Sequence, residues 1–149
     1  GGQRQDSPSQ MGCSVKTFQG HTYWGCNEPK KNAGTATNSW LAGQKVCQRN
    51  NGYMVSINSA DEQEFIYNNG LGRGVFTGLN DLDKDGQWEW SDGSPVTYTN
   101  WENGTTPPLN SGTTKRCGST GLSGTSDGTW KPVDCDKDRL VGGFICEFE

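Results

Sequence analysis

The chain has 149 residues, with 13 Lys and Arg against 17 Asp and Glu and a formal charge of -4. That length suits one domain, burying roughly 70% of the surface its unfolded chain would expose. An acidic balance with no basic cluster beyond Lys30-Lys31 and Lys115-Arg116 argues against nucleic acid as a partner, and no run of about 18 apolar residues offers a membrane-spanning helix.

Residues 1–12 are polar and Gly-rich, have no apolar stretch like that of a signal peptide, and read as a flexible lead from a mature N-terminus into a domain over 13–149. The stretch C-S-V-K-T-F-Q-G-H-T-Y-W-G-C (13–26) predicts a hairpin turning near Gln19-Gly20, bounded by its own two cysteines. Thr37-Asn38-Ser39 offers a cap for a helix through W-L-A-G-Q-K-V-C-Q-R-N, placing Trp40, Val46 and Cys47 on one face, and Asn51-Gly52 ends it. Tyr53 to Ile57 reads as a short strand. Ser59-Ala-Asp-Glu62 is a capping box, and it opens a second helix over 61–69 that stops at Gly70.

The second half has a strand pattern at Val75–Leu79, Gln87–Trp90, around Trp130 and at Gly143–Phe148, so the fold class is α+β. Trp88 and Trp90 stand two apart on one strand face, which points to core for at least one of them. Between Trp101 and Trp130 lie 28 residues rich in Gly, Ser and Thr. A loop that long inside a compact domain is functional or disordered, and Cys117 and Cys135 argue that it is pinned.

Only 30% of residues are hydrophobic and mean hydropathy is -0.84, so constraint beyond apolar burial is expected. Six cysteines at 13, 26, 47, 117, 135 and 146, none in a C-x-x-C pair, read as disulfides rather than a zinc or redox site. They place the protein in an oxidising compartment, as a secreted, extracellular chain. The single histidine, His21, has no nucleophile signature beside it, so triad chemistry is unsupported and no enzyme is expected. Asp134 and Asp136 read as surface charge rather than glycosidase acids. Asn103-Gly104-Thr105 is a glycosylation sequon.

The stretch N-D-L-D-K-D-G-Q-W-E-W-S-D-G (80–93) nearly matches an EF-hand calcium loop, with Asp81, Asp83, Asp85, Gly86 and Asp92 at spacings 1, 3, 5, 6 and 12. An EF-hand needs a helix on each side. Here a strand precedes the stretch and Trp88-Glu89-Trp90 is strand-like within it, so it marks a fold better than a metal loop.

F-T-G-L-N-D (76–81), W-E-W-S-D-G-S (88–94), Y-T-N-W (98–101), W-K-P-V-D-C (130–135) and F-I-C-E-F (144–148), in this order, resemble the C-type lectin-like domain from Cys13 to Phe148. The resemblance implies a fold of two helices with antiparallel sheets and a long loop. Sequence alone allows 15 disulfide pairings; the family's long form pairs Cys13 with Cys26, Cys47 with Cys146 and Cys117 with Cys135. The W-E-W-S-D-G-S and W-K-P-V-D-C strings look like the pancreatic regenerating-protein branch, whose members often lack the calcium triplets.

Calcium-bridged sugar binding in this family uses a Glu-Pro-Asn or Gln-Pro-Asp triplet in the long loop and a Trp-Asn-Asp triplet in a following strand. Here the loop reads Thr105-Thr106-Pro107-Pro108 and the strand Trp130-Lys131-Pro132. An ammonium repels Ca2+ and proline offers no side-chain oxygen, so the usual bridge is not expected. Structural Ca2+ remains the one cofactor implied. An auxiliary family site matches Asp81 and Asp85, but its partners before the cysteine are Lys115 and Arg116 rather than acids. A second family site matches Ser56, Asn58, Glu62 and Glu147, whose carboxylates come from a helix start and the last strand. The expected function is glycan recognition without the calcium bridge, with a protein partner as the alternative. The candidate ligand surface is Trp101, Asn103, Thr106, Pro107, Pro108, Asn110, Lys115, Arg116 and Lys131.

Overall fold

A computed structural model describes residues 4–27, 39–122, 128–136 and 141–149. Part of the expected helix cap, at Thr37 and Asn38, and part of the long loop, at 123–127, lie outside the described residues. The chain runs β1 (Cys13–Phe18), β2 (His21–Asn27), α1 (Ser39–Arg49), β3 (Tyr53–Met54), α2 (Ala60–Asn68), β4 (Val75–Asn80), β5 (Glu89–Trp90), β6 (Cys117–Thr120), β7 (Trp130–Val133) and β8 (Gly143–Phe148).

The hairpin of β1 and β2 turns where expected. Gln19 and Gly20 both take positive φ, 51° and 82°, the backbone of a two-residue turn whose twist matches the strands it joins. Its Cys13 and Cys26 face each other in register and are bonded. Helix α1 starts at Ser39, and its first turn docks on the far end of the chain. The Trp40 backbone N–H donates to Cys135 O at 3.0 Å, and the Trp40 indole donates to Thr77 O at 2.8 Å. At α2 the Ser59 hydroxyl accepts from Glu62 N at 3.1 Å, as the capping box predicts. The Glu62 carboxylate bonds the backbone N–H of Asn58, one residue before the expected return partner, at 2.8 Å.

The strands form one sheet in the order β1-β2-β8-β4-β6-β7, with β3 added to β8 and β5 to β4. It is mixed where only antiparallel pairs are expected, since β4 and β8 run parallel. Parallel neighbours need a long crossover, and the chain from β5 to β7 supplies it. Two predicted strands shorten, Tyr53–Ile57 to β3 and Gln87–Trp90 to β5.

Alternation along β8 divides the interior. Phe144, Cys146 and Phe148 join Trp24, Trp40, Cys47, Met54 and Phe76 in one buried cluster. Ile145 joins Ile57, Ile66, Leu79, Trp90, Trp101 and Trp130 in another. Trp90 and Trp101 meet Trp130 edge-on at 5.5 and 5.6 Å, so Trp90 is core, while Trp88 is half-buried against Trp101. All three disulfides pair as the resemblance implies. The Cys47–Cys146 bond closes a sequence separation of 99, worth on the order of 4 to 5 kcal/mol in the chain-entropy account. Residues 4–12 lie against the body: Asp6 accepts from Arg49 Nε at 2.6 Å, and the Arg4 guanidinium sits 4.3 Å from the Phe148 ring centroid.

Candidate functional site

The alternation that sends Cys146 into the core turns Glu147 to the opposite face, toward α2. The sheet register sets Tyr23 directly across from Glu147, with His21 two residues away on the same side. Ser56, Asn58 and Glu62, close in sequence, here meet Glu147, which lies 91 positions after Ser56. Glu62 accepts from the Tyr23 hydroxyl at 2.6 Å, and Glu147 accepts from Ser56 N at 3.2 Å and meets His21 Nδ1 at 2.7 Å. Asn58 Nδ2 donates to Ser56 Oγ at 3.1 Å, and that hydroxyl donates to Asp92 at 2.9 Å. Asp92, from the 80–93 stretch, thereby joins the cluster, and so do Tyr23 and His21. No local pattern signals them; the sheet register puts them there.

Two carboxylates are confined in this centre. Burial, then the Glu62 charge, pushes the Glu147 carboxyl up to about 7, although the His21 hydrogen bond pulls it down. Burial and the bonded Glu62 hold the Tyr23 phenol above its ordinary range, which keeps it a donor. The oxygens of Glu62, Glu147, Ser56 and Asp92 are the hard donors that Ca2+ takes, and a divalent ion would supply the positive charge that two crowded carboxylates lack. A groove of about 890 Å3, lined in part by His21, Ser56, Asn58, Asp92 and Glu147, opens beside them.

The second acidic centre lies at the turn after β4. Asp81, Asp83 and Asp85 place carboxylate oxygens within 4.8 Å of one another. Asp81 is fully buried, and its carboxylate accepts from Arg116 Nη1. The other Asp81 oxygen accepts from Asp85 N at 3.1 Å, while Asp85 accepts from Gln87 N at 2.9 Å. Burial pushes the Asp81 carboxyl up, and the Arg116 guanidinium opposes that push. Here the fit to a metal fails, because a cation of the chain already holds the inner carboxylate. Asp83 is exposed.

The long loop leaves the core at Trp101, which bridges to Trp130. Asn103 and Gly104 turn it with φ of 64° and 70°. Pro107 O then accepts from the Trp88 indole at 3.2 Å. Two of the nine candidate ligand residues do not face solvent. Trp101 is 4% exposed because its ring packs on Trp88 and Trp130, and Arg116 is 8% exposed because it is spent on Asp81. Asn103, Thr106, Pro108, Asn110 and Lys115 are exposed, whereas Pro107 and Lys131 are half-buried. Lys131 Nζ lies 3.5 Å from Glu102 Oε1.

The sequence profile of the Lectin C-type domain matches residues 36–148. The human low affinity immunoglobulin epsilon Fc receptor is 32% identical over 114 residues, covering 76% of this chain and 33% of the receptor. The mouse C-type mannose receptor 2 is 34% identical over 143 residues, covering 91% of this chain and 9% of that protein. The chain thus spans a third or less of these two relatives. Among solved structures, the cow carbohydrate-recognition domain of CD23, determined in the presence of GlcNAc2Man3 oligosaccharide, has a TM-score of 0.68 at 28% identity, covering 89% of this chain and 91% of that one. Human lithostathine has a TM-score of 0.68 at 27% identity, over 91% and 88% of the two chains. With this fold, three disulfides in the expected pairing and a matching profile over most of its length, the chain belongs to the C-type lectin domain family.

Proposed function

We propose that this chain is a secreted binding domain, not an enzyme, that recognises a glycan through its long loop without a calcium bridge. One observation carries the reading: Lys131 points its ammonium at Glu102 beside Pro132, where a bridging ion would need an amide and a carboxylate. The contacting residues on this reading are Asn103, Thr106, Pro108, Asn110, Lys115 and Lys131, with Pro107 beneath them. Three disulfides and relatives that are receptors support an extracellular setting. No helix among the described residues is long and apolar enough to cross a membrane.

A protein partner is the second reading, supported by the likeness to a receptor whose name specifies immunoglobulin epsilon Fc. A glycan array probed with calcium and again with chelator separates the two. Retained glycan binding in chelator is the expected result, silence across the array favours the protein partner, and chelator-sensitive binding of simple monosaccharides sinks the calcium-free reading. A structural Ca2+ at Ser56, Asn58, Glu62 and Glu147 belongs to the same proposal. It predicts a higher melting temperature with calcium than with chelator, since an ion bound only by the folded state stabilises it.

A further inference from the structure

We infer that Arg116 is the built-in cation of the long loop, positioning it by the contacts an auxiliary metal ion would otherwise make. The inference concerns the loop's framework and stands whatever ligand the loop binds.

Asp81 has no exposed surface, and a carboxylate so buried demands a counter-charge. Arg116 supplies it and does more. Its Nη1 reaches Asp81, its Nη2 donates to Asn110 O at 2.7 Å, and its Nε donates to Thr113 O at 3.1 Å. One carboxylate and two backbone carbonyls are the oxygen types that Ca2+ gathers. The guanidinium collects them from the same two segments, the acidic turn and the loop before Cys117. A backbone bond from Asp81 N to Arg116 O at 2.8 Å closes the unit.

The outer acids are already occupied with the turn itself. Asp85 N donates to Asp81 and to Asp83, and Asp85 in turn accepts from Gln87 N. An ion entering this centre would have to displace Arg116 from Asp81, against the positive charge of both Arg116 and Lys115. Order in residues 110–116 therefore depends on a side chain, and removing divalent ions leaves it intact. Fixing Asn110 and Thr113 in this way also sets where the exposed part of the loop begins.

The test uses the full chain carrying E62Q and E147Q, so that the other acidic centre cannot answer for this one. In that background, melting temperature is expected to be the same in millimolar calcium and in chelator. Adding K115E and R116E converts the cation to ligands. The melting temperature should then rise on calcium addition by on the order of 5 °C, a response that a purely packing role for Arg116 would not produce. No calcium response in a folded K115E/R116E variant overturns the inference.

Should that variant fail to fold, R116K and R116M decide by amide exchange. Both lose the three-way fork, so exchange at Asp81 N should quicken at least about tenfold while the Gly78–Val55 pairing stays protected. R116K should recover part of the protection that R116M loses. Unchanged exchange in R116M sinks the proposal.

Discussion

The two acidic centres of this domain solve one problem in different ways. At the turn after β4 the buried carboxylate of Asp81 is met by a cation from its own chain, which also binds the backbone carbonyls of two loop residues, Asn110 and Thr113. Between α2 and β8, Glu62 and Glu147 share a site whose only basic neighbour in contact, among the described residues, is His21, the other donors being neutral. The first centre is complete without help. In the second, burial and the Glu62 charge favour a proton on Glu147. The two centres differ in the sign of what faces their carboxylates, a guanidinium in the first and a second carboxylate in the other.

Breaking the first centre should have the largest effect. R116M leaves Asp81 buried and unpaired, and should cost about 3 to 5 kcal/mol of stability in urea denaturation. D81N/R116M together should cost less than R116M alone, because no charge is then stranded.

The second centre should answer to pH. Glu147 titrates near 7 in the folded chain against an ordinary 4.5, so the folded state holds the extra proton between those values. Its contribution to stability is therefore fully present below about pH 4.5 and is lost as pH rises toward 7, by about 3 kcal/mol. Denaturation curves across this range should show the fall, and E147Q should flatten it.

Calcium should oppose the same loss. At roughly 100 times its dissociation constant the ion should add about 2.7 kcal/mol near neutral pH, and E62Q should abolish the gain. Smaller still, S59A removes the hydroxyl that caps α2 and should cost about 1 kcal/mol. K131A, at a partly exposed pair, should change stability by less than about 1 kcal/mol while altering ligand binding, which separates the loop's surface from its frame.

Local chemistry was the most legible part of the sequence. Gln19-Gly20 and the Ser59–Glu62 box declare a turn and a cap within a few residues, and both hold in the structure; α1 starts at Ser39, whose hydroxyl donates to Asp136 O. The disulfide pairing and the meeting of Ser56, Asn58, Glu62 and Glu147 were reached through the family resemblance, because contacts across such separations leave no periodic trace. What stayed hidden depends on register and partner. Tyr53 to Ile57 looks like a strand of five residues, yet its ladder with β8 covers Tyr53 and Met54, followed by one bond from Val55 N to Ile145 O. Arg116 next to Lys115 looks like exposed charge until Asp81, 35 positions earlier, is placed against it. Trp101, a candidate ligand residue by sequence, is core because its ring packs on Trp88 and Trp130.

The place of β8 in the sheet has a kinetic consequence. It lies between β2 and β4 and also carries β3, so strands from both halves of the chain close on a segment synthesised after all of them. Until Gly143–Phe148 emerges, β2 and β4 have exposed edges with no central partner, and Cys47 has no Cys146 to join. Folding should therefore be late and of high contact order, slower than for a helical bundle of this length. Nascent chains stalled before residue 143 should be the species that a disulfide isomerase and chaperones have to hold.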